Sequence, residues 1–369
     1  APPEPDQPLE APAIAAEREQ QSAQLRELDA ALRQTRLLSV RGAQIVDRID
    51  QRRRAAFTSL LFARAVSVFA PSLWLDAARA LPWELRGLQT MFGDWRNHIA
   101  ERAGAGPFTL ALVLSFAAVG GILLVRQTVR RRFDAAPRSP DAPPLPRQQK
   151  VLLAFRDAAL DSLAAPAAAL AVVEIFAAFG LMPDRIRLFG SGLVTAVAYV
   201  AVGRALARSA FAPGSPARRL PRFDDPTARD LYRLVSNAVI LTAIALLVNV
   251  THRALASPVE MTIATNATYA FLLALQIAYS LLKHREAPED PAEHRFPPWI
   301  RLAGWAAVLV IGIALATGYL RFGSFVAERM VTAAIVLLGL YLLLAIVDAV
   351  LDRGLAADSP RRQSAAAML

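Results

Sequence analysis

Charged side chains and apolar runs alternate along this chain in blocks. Residues 108–125 are eighteen positions without a charge, and Arg126, Arg130, Arg131 and Arg132 follow at once. As a helix such a run matches the hydrocarbon core of a bilayer, and the arginines mark its cytoplasmic end. Six more apolar runs follow, at 163–182, 188–203, 234–250, 261–282, 302–320 and 330–347, with Glu174 the one ionisable residue inside any of them. The runs 188–203 and 234–250 hold sixteen and seventeen residues, so they need flanking residues or a thinner bilayer to cross. The pattern predicts seven crossings and an all-α, polytopic membrane protein.

The basic residues test that count. With the N-terminal part outside, the inner segments 126–157, 204–233, 283–301 and 353–369 hold eight, seven, four and three arginines and lysines, and the short outer loops between crossings hold five altogether. This asymmetry over short loops supports both number and orientation of the helices. The inner connections are long and proline-rich, as in RSPDAPPLPRQQK, while the outer ones are a few residues long. Crossings two and three, four and five, and six and seven are therefore expected as helical hairpins with tight outer turns.

Ahead of the first crossing, residues 1–13 carry five prolines and read as an extended linker. Residues 14–69 are free of proline, with Leu25, Leu28 and Leu32, then Val46, Ile49 and Leu60, at rough helical spacing. They predict a long helix, kinked near 39–42 and ended by Pro71. Pro82 then precedes an amphipathic helix over 83–103, with Leu85, Leu88, Met91, Phe92 and Trp95 on its apolar side. Trp74, Trp83 and Trp95 fit either a headgroup belt or the core of a small helical domain. The expected organisation is a linker at 1–13, a helical extracytoplasmic domain at 14–107, a transmembrane region at 108–352 and a basic tail at 353–369. The segment APPEPDQPLEAPA has no apolar core with a basic flank, so the export signal is expected upstream.

Composition narrows the classes. The chain is 55% hydrophobic, more than a soluble core of this length requires, so the excess is expected to face lipid. The formal charge of +10 is spread between apolar runs rather than over a polar domain, which excludes a nucleic-acid binder. There is no cysteine, hence no disulfide, thiol nucleophile or cysteine-held metal. An ionisable group within a crossing is costly, which makes Glu174 the first candidate intramembrane polar site. Asn237, Asn249 and Asn266 can bond from helix to helix. The small pairs Ala117 with Gly121, Gly203 with Ala207 and Gly312 with Ala316 permit close helix approach. Gly190-Ser191-Gly192 has neither a preceding strand nor a following lysine, so it is not a phosphate cradle. His98, His252, His284 and His294 have no ligand spacing. No cofactor and no catalytic residue is expected.

The stretch LLSVRGAQIVDRIDQRRRAAFTSLLFARAVSVFAPSLW, from Leu37, resembles a helical N-terminal domain of large bacterial MscS-like mechanosensitive channels. The matching features are Arg41, Gln44, Asp47, Arg48, Arg53, Arg54, Phe57, Leu60, Phe62, Arg64, Pro71 and Trp74. The resemblance implies a periplasmic N-terminal domain, hairpin helices in the bacterial inner membrane that meet lipid and sense tension, and a heptameric assembly of identical subunits. It also implies a pore helix and a strand-rich cytoplasmic domain after the hairpins. No such segments follow Val347 here, so the chain is expected to be an internal piece of a longer polypeptide. Two other readings stay open: a secondary transporter using Glu174 and Pro166, and a membrane scaffold whose outer helix binds a partner.

Overall fold

The computed structural model describes residues 12–64, 67–102, 105–133, 147–215, 219–220, 225–283 and 298–366. The described residues form nine helices and no strand: α1 (Pro12–Leu61), α2 (Pro71–Arg102), α3 (Ala105–Phe133), α4 (Arg147–Ala178), α5 (Asp184–Phe211), α6 (Asp225–Leu255), α7 (Val259–Lys283), α8 (Pro298–Thr317) and α9 (Leu320–Ala366). Seven of them, α3 to α9, are long and apolar enough to cross a membrane, in agreement with the seven apolar blocks. Residues 1–11 of the linker and most of the proline-rich connections lie outside the described residues.

Residues 1–62 and 63–369 are separate compact units. The first consists of α1, a single helix of 50 residues, about 75 Å long by helical rise. Alanine, glutamine, glutamate, arginine and leucine dominate it, all strong helix formers, and the helix is continuous through residues 39–42. Its end comes at Leu61, before Pro71. That proline instead opens α2, at the position where its missing N–H costs no hydrogen bond. Pro82 lies inside α2 rather than ahead of a new helix.

In the second unit, the apolar runs turn out to be the central parts of longer helices. The sixteen-residue run lies within the 28 residues of α5, and the seventeen-residue run within the 31 of α6. Polar and charged flanks continue the helical backbone past the apolar stretch, so neither helix needs a thinned bilayer to span. The turns within the three expected hairpins are short: 179–183 between α4 and α5, 256–258 between α6 and α7, and 318–319 between α8 and α9.

Helix α5 packs closely against both α4 and α6. A Cβ on Gly192 would stand 2.6 Å from Val250 Cγ1, and one on Gly203 2.6 Å from Val239 Cγ2, so the α5–α6 approach depends on these two glycines. The Gly190-Ser191-Gly192 segment is thus packing surface. Of the three small pairs, Gly203 and Ala207 are buried, whereas Ala117 with Gly121 and Gly312 with Ala316 are exposed. The main core lies around α7, where Ala267, Ala270 and Leu273 meet Val239 of α6, Ile311 of α8 and Leu320, Ala327 and Val331 of α9. Polar bonds tie the helices laterally: Tyr199 to Thr332 at 3.1 Å, Thr242 to Tyr269 at 3.0 Å, and Gln276 Nε2 donating to the Leu234 carbonyl at 2.8 Å. By contrast α3 exposes Leu110, Val113, Phe116, Leu124 and Val125, a surface suited to lipid.

Candidate functional site: a helix fastened to three hairpin turns

The segment 64–98 meets the α8–α9, α6–α7 and α4–α5 turns in succession. The chain entering α2 comes first: Arg64 donates from Nε to the Thr317 carbonyl (3.3 Å), Ser67 from Oγ to the Ala316 carbonyl (2.9 Å), and the Val68 amide to the Leu315 carbonyl (3.3 Å). These three bonds satisfy carbonyls at the C-terminal end of α8, where the helix itself offers no donors. Trp74 Nε1 donates back to the Val68 carbonyl at 2.7 Å and fixes the entry to α2.

Two turns further on, Glu84 accepts from Ser257 Oγ at 3.0 Å and pairs with His252 Nε2 at 3.0 Å, holding the α6–α7 turn. At the far end, Trp95 donates Nε1–H to the Leu181 carbonyl (2.7 Å) and His98 donates Nε2–H to the Gly180 carbonyl (3.1 Å), holding the α4–α5 turn. Apolar contacts run beside these bonds: Leu73 and Ala77 join the main core, and Met91, Leu88 and Trp95 pack with Ile186, Ala254 and Leu255. A bonded tryptophan in this cluster gives Trp95 a packing role, while Trp83 is exposed.

The buried face of α2 reads Leu73, Ala77, Glu84, Met91, with Leu88 and Trp95 half-buried alongside, at spacings of three, four and seven. Leu85 and Phe92, expected on that face, are exposed, and the acid Glu84 points inward. Glu84 and His252 are 6% and 4% exposed, and His252 Nδ1 has no hydrogen-bond partner. A buried polar atom left unpaired costs about 1–3 kcal/mol, so the other contacts of α2 must outweigh it.

A second polar knot lies toward the other end of the same helices. Asp161 of α4, with a side chain 10% exposed, receives Arg126 at 2.7 Å and Arg130 at 3.1 Å, both from α3, and Arg208 of α5 at 3.8 Å. Phe108 stacks edge-on against Phe176, ring centroids 6.2 Å apart, at the other end of α3. The arginines that end α3 thus bind it to its neighbours in addition to marking topology.

The expected polar residues are partly brought together. Asn249 Nδ2 donates to Asn266 Oδ1 at 2.9 Å, bridging α6 and α7, while Asn237 is exposed. Glu174 is exposed and lies four residues before the end of α4, about 6 Å along the axis, with no hydrogen bond or ion pair among the described residues. Arg41, Gln44, Asp47, Arg48, Arg53, Arg54 and Phe57 lie on α1, Arg64 in the segment bonded to Thr317, and Pro71 and Trp74 at the start of α2. Among the described residues, no group of three or more His, Asp or Glu side chains is placed to hold a metal ion.

Residues 32–94 match a family described as a protein of unknown function, DUF3772. The match spans the second half of α1 and most of α2, including the bonds to two of the three turns. No curated protein and no solved structure matches the chain.

Proposed function

We propose that this chain is the peripheral, tension-sensing part of a bacterial MscS-like mechanosensitive channel, which releases ions and small solutes when the inner membrane is stretched. The match at 32–94 falls on the stretch that carries the resemblance to such channels. In this reading α1 and α2 lie in the periplasm, α3 to α9 cross the membrane, and identical subunits form a ring, a heptamer by resemblance.

The observation that carries the proposal is the bonding of one amphipathic helix, together with the segment that enters it, to all three hairpin turns. Membrane tension favours the state with larger in-plane area, so a sensor must convert a small tilt of lipid-facing helices into one concerted displacement. Hairpins joined only by flexible loops would tilt independently. With α2 fixed to each of them, tilt of one hairpin is passed to the others through rigid packed elements. The exposed apolar surface of α3 gives lipid a purchase on the same assembly.

Patch-clamp of the full-length protein in membranes lacking other such channels tests the reading. Unitary currents that appear with suction support it, and their absence at lytic tension rejects it. A scaffold role has one observation in its favour: Leu25, Leu28 and Leu32 of α1 are more than half exposed, at helical spacing. Partner binding without tension-dependent current would select that alternative.

A further inference from the structure

We propose that the second unit carries a binding site for one anionic phospholipid, with its phosphate held by Arg204 and Arg208 and an acyl chain along the groove between α5 and α6. The proposal rests on α3 to α9 lying in a bilayer and not on the channel reading. The groove is a cavity of about 440 Å³ whose polar end is formed by Arg126, Asp161, Arg204 and Arg208. Its remaining walls include Val197, Val200, Ile244 and Leu247. From Arg208 to Ala196 the lining spans thirteen residues of α5, about 18 Å along the helix axis.

Charge accounting points to an anion. Three arginines share the single carboxylate of Asp161 at this end of the groove: Arg126 and Arg130 at hydrogen-bond distance, and Arg208 only at 3.8 Å, its other partner being the uncharged Tyr232 hydroxyl at 3.3 Å. Arg204 adds a further cation, and its buried Nε–H has no partner. One carboxylate cannot neutralise four guanidinium groups, and a phosphodiester supplies both a negative charge and acceptor oxygens of the geometry guanidinium prefers. A second cavity of about 290 Å³ shares Arg208 and adds Arg130, Lys150, Ser209 and Ser215, together with Asp157, whose carboxylate is paired with Arg156 at 2.7 Å, giving the rest of a headgroup polar surroundings.

The apolar length decides between a lipid and a free anion. A free phosphate would satisfy the arginines and leave Val197, Val200, Ile244 and Leu247 facing an empty groove. A phospholipid fills both parts, and basic pockets between transmembrane helices recognise acidic headgroups in this way.

The test uses the whole chain extracted in a neutral detergent and titrated with phosphatidylglycerol or phosphatidylcholine, bound lipid being counted by native mass spectrometry. Phosphatidylglycerol should be retained in preference, and a large excess of inorganic phosphate should not displace it. Arg204→Gln with Arg208→Gln should weaken retention by about fivefold for each arginine removed. Val200→Trp, which blocks the groove and leaves every charge in place, should also abolish it, with thermal unfolding of each variant measured without lipid. Equal retention of the two lipids, displacement by phosphate, or unaltered binding in Val200→Trp would each overturn the proposal. If the arginine variant fails to fold, Val200→Trp and phosphate competition decide alone. A chain recovered in the soluble fraction would reject membrane insertion itself, an outcome separate from a detergent-extracted chain indifferent to headgroup.

Discussion

The Nε2 atom of His252 lies 3.0 Å from the Oε1 atom of Glu84, and both side chains are buried. This contact joins the amphipathic helix α2 to the C-terminal end of α6. Removing one member of a buried hydrogen-bonded pair leaves the other unsatisfied, at a cost of about 1–3 kcal/mol. Glu84→Ala should therefore lower the thermal midpoint in detergent clearly. The double variant with His252→Ala should cost less than the two single costs combined, since the second change removes the stranded partner. Strict additivity would contradict the contact. In the channel reading, the same Glu84→Ala change frees the α6–α7 turn and should lower the tension needed for opening.

The α5–α6 contact gives a prediction with a built-in control. Gly192→Ala places a methyl group where Val250 Cγ1 stands 2.6 Å away, and overpacking of this kind costs about 1–3 kcal/mol. Gly312→Ala meets nothing within 4 Å, so its outcome should be neutral or a gain of up to about 1 kcal/mol from helix propensity. Thermal unfolding of the two variants side by side checks the difference. Equal behaviour would mean that α5 and α6 are not in close contact.

The apolar blocks were legible because hydropathy is a one-dimensional property: seven runs in the sequence correspond to seven helices. Helix ends were not, since polar flanks such as Gln148 and Arg204 continue the backbone without continuing the apolar signal. The inward face of α2 was read correctly at Leu88, Met91 and Trp95 but missed Glu84, because Leu85 is apolar and Glu84 is not. Yet Glu84 is in register with Leu88, Met91 and Trp95, and an acid in that register is the signal that could have marked it. Its partner could not be read at all: Ser257 is 173 residues away, and nothing local encodes that pairing. Likewise Arg126 and Arg130 read as topology markers until Asp161 is placed between them.

Trp95 should act through its N–H as well as its ring. Trp95→Phe keeps most of the apolar contact with the α4–α5 turn and removes the donor to the Leu181 carbonyl. The expected loss is about 1–2 kcal/mol, with faster hydrogen exchange in the turn at 179–183 than at 256–258. Equal acceleration at both turns would indicate general loosening of α2 rather than loss of this bond.

The absence of native cysteine makes the orientation directly measurable. Arg131, at the end of α3, and Arg185, at the start of α5, lie at sites the basic-residue asymmetry assigns to opposite faces of the bilayer. Single variants Arg131→Cys and Arg185→Cys can be challenged with a membrane-impermeant maleimide in intact spheroplasts and again after permeabilisation. Arg185→Cys should react in intact spheroplasts, and Arg131→Cys only after permeabilisation. Reaction of both from the outside would remove the crossing between them and with it the concerted sensor, because α4 would then no longer traverse lipid as half of the first hairpin. The reverse pattern would keep the crossings and invert the protein. That outcome would put α2 and its bonded turns in the cytoplasm, where no periplasmic domain could act through them.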